Sequence, residues 1–100
     1  MLKSFIKETK NKVVPVLKQY DISRAAIFGS YANGKYKKDS DVDILIKFKK
    51  GKEKSLLGLV KIKFELERQL KKKVDLVTLA ALSPYIKNHI LKTMKIIYEK

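Results

Sequence analysis

Residues 28–46 read FGSYANGKYKKDSDVDILI. Two acids, Asp41 and Asp43, stand one residue apart at the head of a run of Val, Ile and Leu. A strand has a side-chain period of two, so in a strand over 41–48 (DVDILIKF) both carboxylates face one way. Their Cα atoms are then about 6.7 Å apart. Val42, Ile44 and Ile46 face the other way and can pack against helices. Carboxylates this close repel each other and raise a pKa, an arrangement that a divalent cation reverses in sign. Paired carboxylates suit Mg²⁺, a hard ion that takes oxygen ligands and keeps water and phosphate in its shell. Two such ions about 3.5–4 Å apart are the core of two-metal phosphoryl-transfer sites, a span that carboxylates at i and i+2 can bridge. Asp75, inside the apolar run KVDLVTL (73–79), is a candidate third ligand from a neighbouring strand.

A metal site of this kind needs a place for phosphate. Gly29 lets a ligand approach the backbone closely. Ser30 adds a hydroxyl, and as a cap it can open a short helical turn over 31–34 whose first amides suit a phosphate group. Gly34 ends that turn. Each piece has an ordinary reading. A D-x-D alone usually marks a turn or cap, a Gly-Ser pair says little, and a single Asp in a strand fits a strand end or edge. The joint pattern G-S-x₃-G-x₅-S-D-x-D, followed about thirty residues later by Asp75, is what points to chemistry.

These residues need elements to hold them. Apolar spacing predicts a helix over 2–20, carrying Leu2, Phe5, Ile6, Val13, Val14, Leu17 and Tyr20, with Pro15 either kinking it or opening a second short helix. SRAAIF (23–28) reads as a buried strand, residues 35–40 as a basic loop, and 41–48 as the second strand. The clearest helix covers 55–71: Leu59, Ile62, Leu66 and Leu70 mark its apolar face, and Leu56, Val60 and Phe64 widen it. A third strand over 73–79 follows, then a helix opened by Ser83-Pro84 with Ile86, Ile90 and Met94 on one side, then a short edge strand, KIIYE. The fold class is α/β (α+β), one domain over 1–100 with a small mixed sheet of three to four strands flanked by helices.

Composition sets the outer limits. A chain of 100 residues can bury one modest core. The absence of cysteine excludes disulfides, thiolate metal sites and cysteine nucleophiles, and fits a reducing cytoplasm. The N-terminal stretch carries charges every few residues, unlike a signal peptide, and no run approaches a membrane span, so a soluble protein with no membrane partner is expected. The net charge is +14, with 24 basic residues of which only Arg24 and Arg68 are arginine. Such charge favours polyanions, nucleic acid among them, but no nucleic-acid motif accompanies it. Dispersed lysine equally serves solubility, genome composition or a hot habitat. His89 reads as a helix-surface histidine. Tyr31 and Tyr36, near the proposed site, read as packing or loop residues before they read as base-stacking platforms.

The residues Gly29, Ser30, Gly34, Ser40, Asp41 and Asp43 resemble the signature of the DNA polymerase beta-like nucleotidyltransferase superfamily. The likeness is greatest to its smallest members, the minimal nucleotidyltransferases often found as antitoxins beside HEPN-domain toxins, and it runs through AIFGSYANG, SDVDILI, KVDLVT and ILKTMKIIYEK. The resemblance implies the nucleotidyltransferase fold and transfer of a nucleoside monophosphate from a nucleoside triphosphate to a hydroxyl. AMP from ATP, delivered to a tyrosine of a HEPN-type toxin encoded nearby, is the form that suits an antitoxin. Carried over by position, Asp41 and Asp43 hold two Mg²⁺ ions, and Asp75 completes the metal site and serves the attacking hydroxyl. Gly29 and Ser30 grip the β- and γ-phosphates, with Gly34 and Ser40 part of the same nucleotide-binding signature. The chain departs from many minimal members at Asn33, where they carry Arg; Lys35, Lys37 or Lys38 could stand in for that cation. A domain of this fold that is catalytically weak or inactive, acting by binding a partner protein or nucleic acid, is the alternative.

Overall fold

The computed structural model describes residues 2–100, with side chains from Ser4 onward. The side-chain position expected of Leu2 lies outside the described residues. The chain runs α1 (Leu2–Lys18), β1 (Ile22–Phe28), α2 (Ser30–Asn33), β2 (Val42–Phe48), α3 (Leu56–Leu70), β3 (Val74–Thr78), a 3-10 turn (Leu79–Ala81), α4 (Pro84–Thr93) and β4 (Lys95–Glu99). Pro15 does not divide α1. It stands in the last turn and faces solvent.

The sheet order is β3-β2-β1-β4. β1 runs antiparallel to both β2 and β4, and β2 runs parallel to β3, so the sheet is mixed. Val42, Ile44, Ile46 and Phe48 of β2 pack with Ile22, Ala25 and Ile27 of β1 against Val13 and Leu17 of α1 and Ile62, Leu66 and Leu70 of α3. On the opposite face Ala26, Leu45 and Ile90 are buried outside that cluster, where α4 and the 3-10 turn meet the middle of the sheet. One face of the sheet is thus a full core, while the second is covered in the middle and open at the end that carries Asp43.

α3 and α4 open on serine caps, the second as its sequence suggests. Ser55 Oγ accepts from Gly58 N at 3.3 Å, and Ser83 Oγ accepts from Tyr85 N at 3.2 Å with Pro84 at the first helical position. Two expectations are corrected. The cap of α2 is Gly29, not Ser30, which is the first helical residue; no side-chain cap bond forms there. The widened face of α3 is not core either: Leu56 and Phe64 are 76% and 58% exposed, while Ile62 and Leu66 are fully buried. α1 and β3 cover one stripe of α3, and among the described residues no layer lies beyond it.

This division of α3 is testable by denaturant melting. Leu66→Ala should cost about 2–5 kcal/mol, through lost burial and a cavity. Leu57→Ser, at a residue 81% exposed, should stay within about 0.5 kcal/mol of wild type. Equal losses at the two positions would mean the wrong face has been assigned to the core.

Candidate active site

β1 ends with Phe28 paired to Asp43, and Asp43 is in turn paired to Asp75 across the parallel β2–β3 ladder. Neighbours in register share a face, so both carboxyls point away from the main core. Asp43 is half-buried and Asp75 exposed, near the start of an edge strand. Asp41 stands one residue before β2 begins, in the loop rather than in the strand as expected, and is exposed.

The electrostatics carry the same message. Burial pushes the Asp43 carboxyl up from 3.8 to about 6, helped by the negative charges of Asp75 and Asp41 and by a hydrogen bond with Asp75. Gly29 closes the site from the β1 side. Its φ of 73° and ψ of −148° belong to a region only glycine enters readily, and a Cβ there would overlap the Asp43 Oδ2. The backbone of Gly29, the carboxyl of Asp43 and the carboxyl of Asp75 therefore meet at one end of the sheet, with Asp41 acting on them through its charge.

Two backbone contacts aim β3 at this point. Val42 N donates to Lys73 O at 2.9 Å, and Val74 N donates to Glu67 Oε2 at 2.9 Å. Glu67 was not among the residues singled out from sequence. It sits on the last turns of α3, one position from Leu66, and nothing in its spacing marks a side chain that reaches forward seven residues to hold a strand.

The other signature residues have structural work. Gly34 ends α2 in the left-handed region at φ 75°, and its N–H donates to Ser30 O. Ser40 Oγ accepts from Lys37 N at 2.8 Å and Ser40 N donates to Lys37 O at 3.0 Å, which closes the basic loop just before Asp41. Tyr31 is 1% exposed and so is packing, not a platform for a base. Its ring stacks on Phe5 of α1 and on Tyr36 of the loop, both at 4.3 Å between centroids. Phe5 and Tyr36 are 5.8 Å apart, so the three rings form a triangle that ties the loop to α1. His89 is an exposed residue of α4.

The donor set suits a hard divalent cation: oxygen ligands, one of them raised in pKa by burial and like charge, beside a glycine cradle. Among the described residues no three acid or histidine side chains close on one point to hold an ion by themselves. Asp43 and Asp75 are in contact while Asp41 stands off, as suits an ion whose shell is completed by water and phosphate oxygens. Among the described residues no helix is long and apolar enough to cross a membrane.

Comparison with known proteins gives a consistent result. The family described as "Polymerase beta, Nucleotidyltransferase" matches residues 11–100. A candidate protein adenylyltransferase of Methanocaldococcus jannaschii is 48% identical over 86 residues, covering 86% of this chain and 90% of that protein. The protein adenylyltransferase MntA of Thermococcus cleftensis is 36% identical over 74 residues, covering 74% and 73%. Among solved structures, a candidate minimal nucleotidyltransferase superposes with TM-score 0.77 at 29% identity, covering 93% of this chain and 92% of the other. A chain from the complex of the tri-AMPylated Shewanella oneidensis HEPN toxin with its MNT antitoxin superposes with TM-score 0.72 at 20% identity, covering 100% and 74%; this likeness is one of fold.

Two outcomes follow from the geometry. The folded state binds the Asp43 proton more tightly than the unfolded chain, so stability falls as pH rises from about 4 through about 6 and stays lower above that. Asp43→Asn, measured in chelator, should therefore be more stable than wild type at pH 7 by about 1 kcal/mol, a figure discounted for solvent screening, and the difference should vanish near pH 4. A pH-independent difference would contradict this. Gly34→Ala should cost about 1 kcal/mol from its positive φ alone. Gly29→Ala adds overlap with Asp43 and should cost about 2–4 kcal/mol; thermal melts that rank the two equally would remove the close approach.

Proposed function

The chain belongs to the polymerase beta nucleotidyltransferase family, and from that membership we propose that it is a protein adenylyltransferase, moving AMP from ATP to a hydroxyl of a partner protein. The contact of Asp43 with Asp75 beside the glycine of a Gly-Ser turn carries this reading. Its support from relatives is their naming as protein adenylyltransferases and, at the level of fold, the AMPylated toxin that accompanies one structural neighbour. By the same reasoning the acceptor is a tyrosine of a HEPN-type protein encoded nearby, the pair works as toxin and antitoxin in the cytoplasm, and residues 1–100 are one nucleotidyltransferase domain.

Each residue then has a part. Asp41, Asp43 and Asp75 would hold two Mg²⁺ ions, which when bound neutralise the triphosphate and the charge that develops on the leaving pyrophosphate. Gly29 allows the triphosphate to lie against the backbone, and the Ser30 hydroxyl donates to a phosphate oxygen. Lys35, Lys37 and Lys38, on the loop that Ser40 and the aromatic triangle hold in place, offer the cations that Asn33 does not. Asp75, exposed at the edge strand, faces the side from which an acceptor arrives; it orients the hydroxyl and receives its proton. The hydroxyl oxygen bonds to the α-phosphorus, the bond to the β-phosphate oxygen breaks, and pyrophosphate leaves. The catalytic terms are position and charge, with no covalent intermediate on the protein.

The Asn33 substitution favours one second reading, a weak or inactive module that acts by binding. One experiment separates the two. ATP labelled at the α-phosphate is incubated with Mg²⁺, this protein and the neighbouring gene product. Label should pass to that product and be lost, by at least about 100-fold, in the Asp41→Asn, Asp43→Asn double variant. Labelling unchanged in the double variant would sink the catalytic assignment. Toxin neutralisation that persists without labelling would support the binding module.

A further inference from the structure

The sheet has a second working end. The carboxylates lie where β2 and β3 begin; past Phe48 and Thr78, about 17 Å further along β2, an open groove of about 850 Å³ lies between the start of α3 and the 3-10 turn. Its floor is apolar, formed by Ile46, Phe48, Leu59 and Leu79. Its walls carry five lysines, Lys47, Lys49, Lys50, Lys54 and Lys87, against the single acid Glu53.

Uncovered apolar turns border it. Leu56, three residues before Leu59 and so on the same side of α3, is 76% exposed, and Leu57 is 81% exposed. The first turn of α4, which sends Lys87 to the groove, leaves Tyr85 96% and Ile86 50% exposed. An apolar surface of this extent with a charged rim marks an interface.

We propose that this groove docks an acidic amphipathic segment of a partner protein, apolar side chains on the floor and carboxylates against the lysine rim. Charge complementarity selects the occupant. A second copy of a chain with net charge +14 would bring lysine to lysine. Nucleic acid fits less well: it would leave the apolar floor and the exposed Leu56 and Leu57 uncovered, and the cations are all lysine, without the planar fork of arginine. Because the groove is far from Asp43, it holds the partner without touching the chemistry and raises the local concentration of an acceptor hydroxyl. Only the naming of the occupant as the acceptor rests on the functional reading above; docking itself needs no transfer step.

The test uses a fluorescent peptide of about 20 residues, apolar at i, i+3, i+4 and i+7 and glutamate elsewhere, titrated with the full chain. Saturable binding is expected. It should weaken by about tenfold or more in Lys49→Glu with Lys50→Glu, and similarly in Leu56→Ser, while Asp41→Asn with Asp43→Asn leaves it unchanged. A scrambled peptide of the same composition should bind about tenfold more weakly. Equal binding of the scrambled peptide, indifference to both groove variants, tighter binding of an oligonucleotide through the same lysines, or self-association that Leu56→Ser abolishes would each overturn the proposal. No nucleotide is present, so failure of the adenylyltransferase reading leaves this result standing.

Discussion

The structure depends on a pairing that its own electrostatics oppose. β2 and β3 run parallel with Asp43 opposite Asp75, and burial, with the negative charge of Asp75 added to it, raises the pKa of Asp43. A slip of one residue would relieve it, but would also turn Asp75 toward the main core and Val74 out of it. Val74 is buried, its N–H is held by Glu67, and the amide of Val42 is held by Lys73. The apolar register and these contacts outweigh the repulsion, so the fold keeps two acids together that a stability-driven sheet would separate. Function is the physical reason to retain such strain, and a bound cation is what would turn its sign.

Much of this arrangement was legible before any coordinates. The period of two in DVDILIKF, the Gly-Ser break and the cap at Ser83 are local signals, and local signals survive folding. What stayed hidden was what depends on how many layers exist. The apolar width of α3 implied a broad buried face, yet Leu56 and Phe64 have nothing beyond them to pack against. Periodicity reports which residues would gain from burial; only topology reports whether a neighbour is present. The tie from Glu67 to Val74 and the ring triangle of Phe5, Tyr31 and Tyr36 were unreadable for a similar reason, since each joins elements whose relative placement is a property of the whole fold. The displacement of Asp41 from strand to loop is a shift of one residue, which leaves its backbone outside the ladder while that of Asp43 is inside it.

The same shortage of layers explains where a partner can act. Larger proteins cover the outer face of such a helix with more of their own chain. Here that face, the first turn of α4 and the lysine-walled groove between them are left open. The surface with apolar and charged groups together lies at the end of the sheet away from the acids.

On the proposed function, part of the net charge of +14 would have a physical role at the acidic end. A triphosphate approaching three carboxylates meets repulsion that a local cation has to offset before the phosphates come close. Divalent ions supply part of that, but they bind the carboxylates and the phosphates together, so the free nucleotide must be drawn in by fixed charge as well. The loop bearing Lys35, Lys37 and Lys38 would supply that charge: Ser40 closes it immediately before Asp41, and Tyr36 anchors its middle on Tyr31. Lysine on a tethered loop gives field without rigid geometry, whereas arginine at Asn33 would have given a fixed fork on the turn itself. On the proposed function the chain would trade a single oriented contact for a diffuse positive field that favours capture of the triphosphate, with alignment falling to Gly29, Ser30 and the carboxylates.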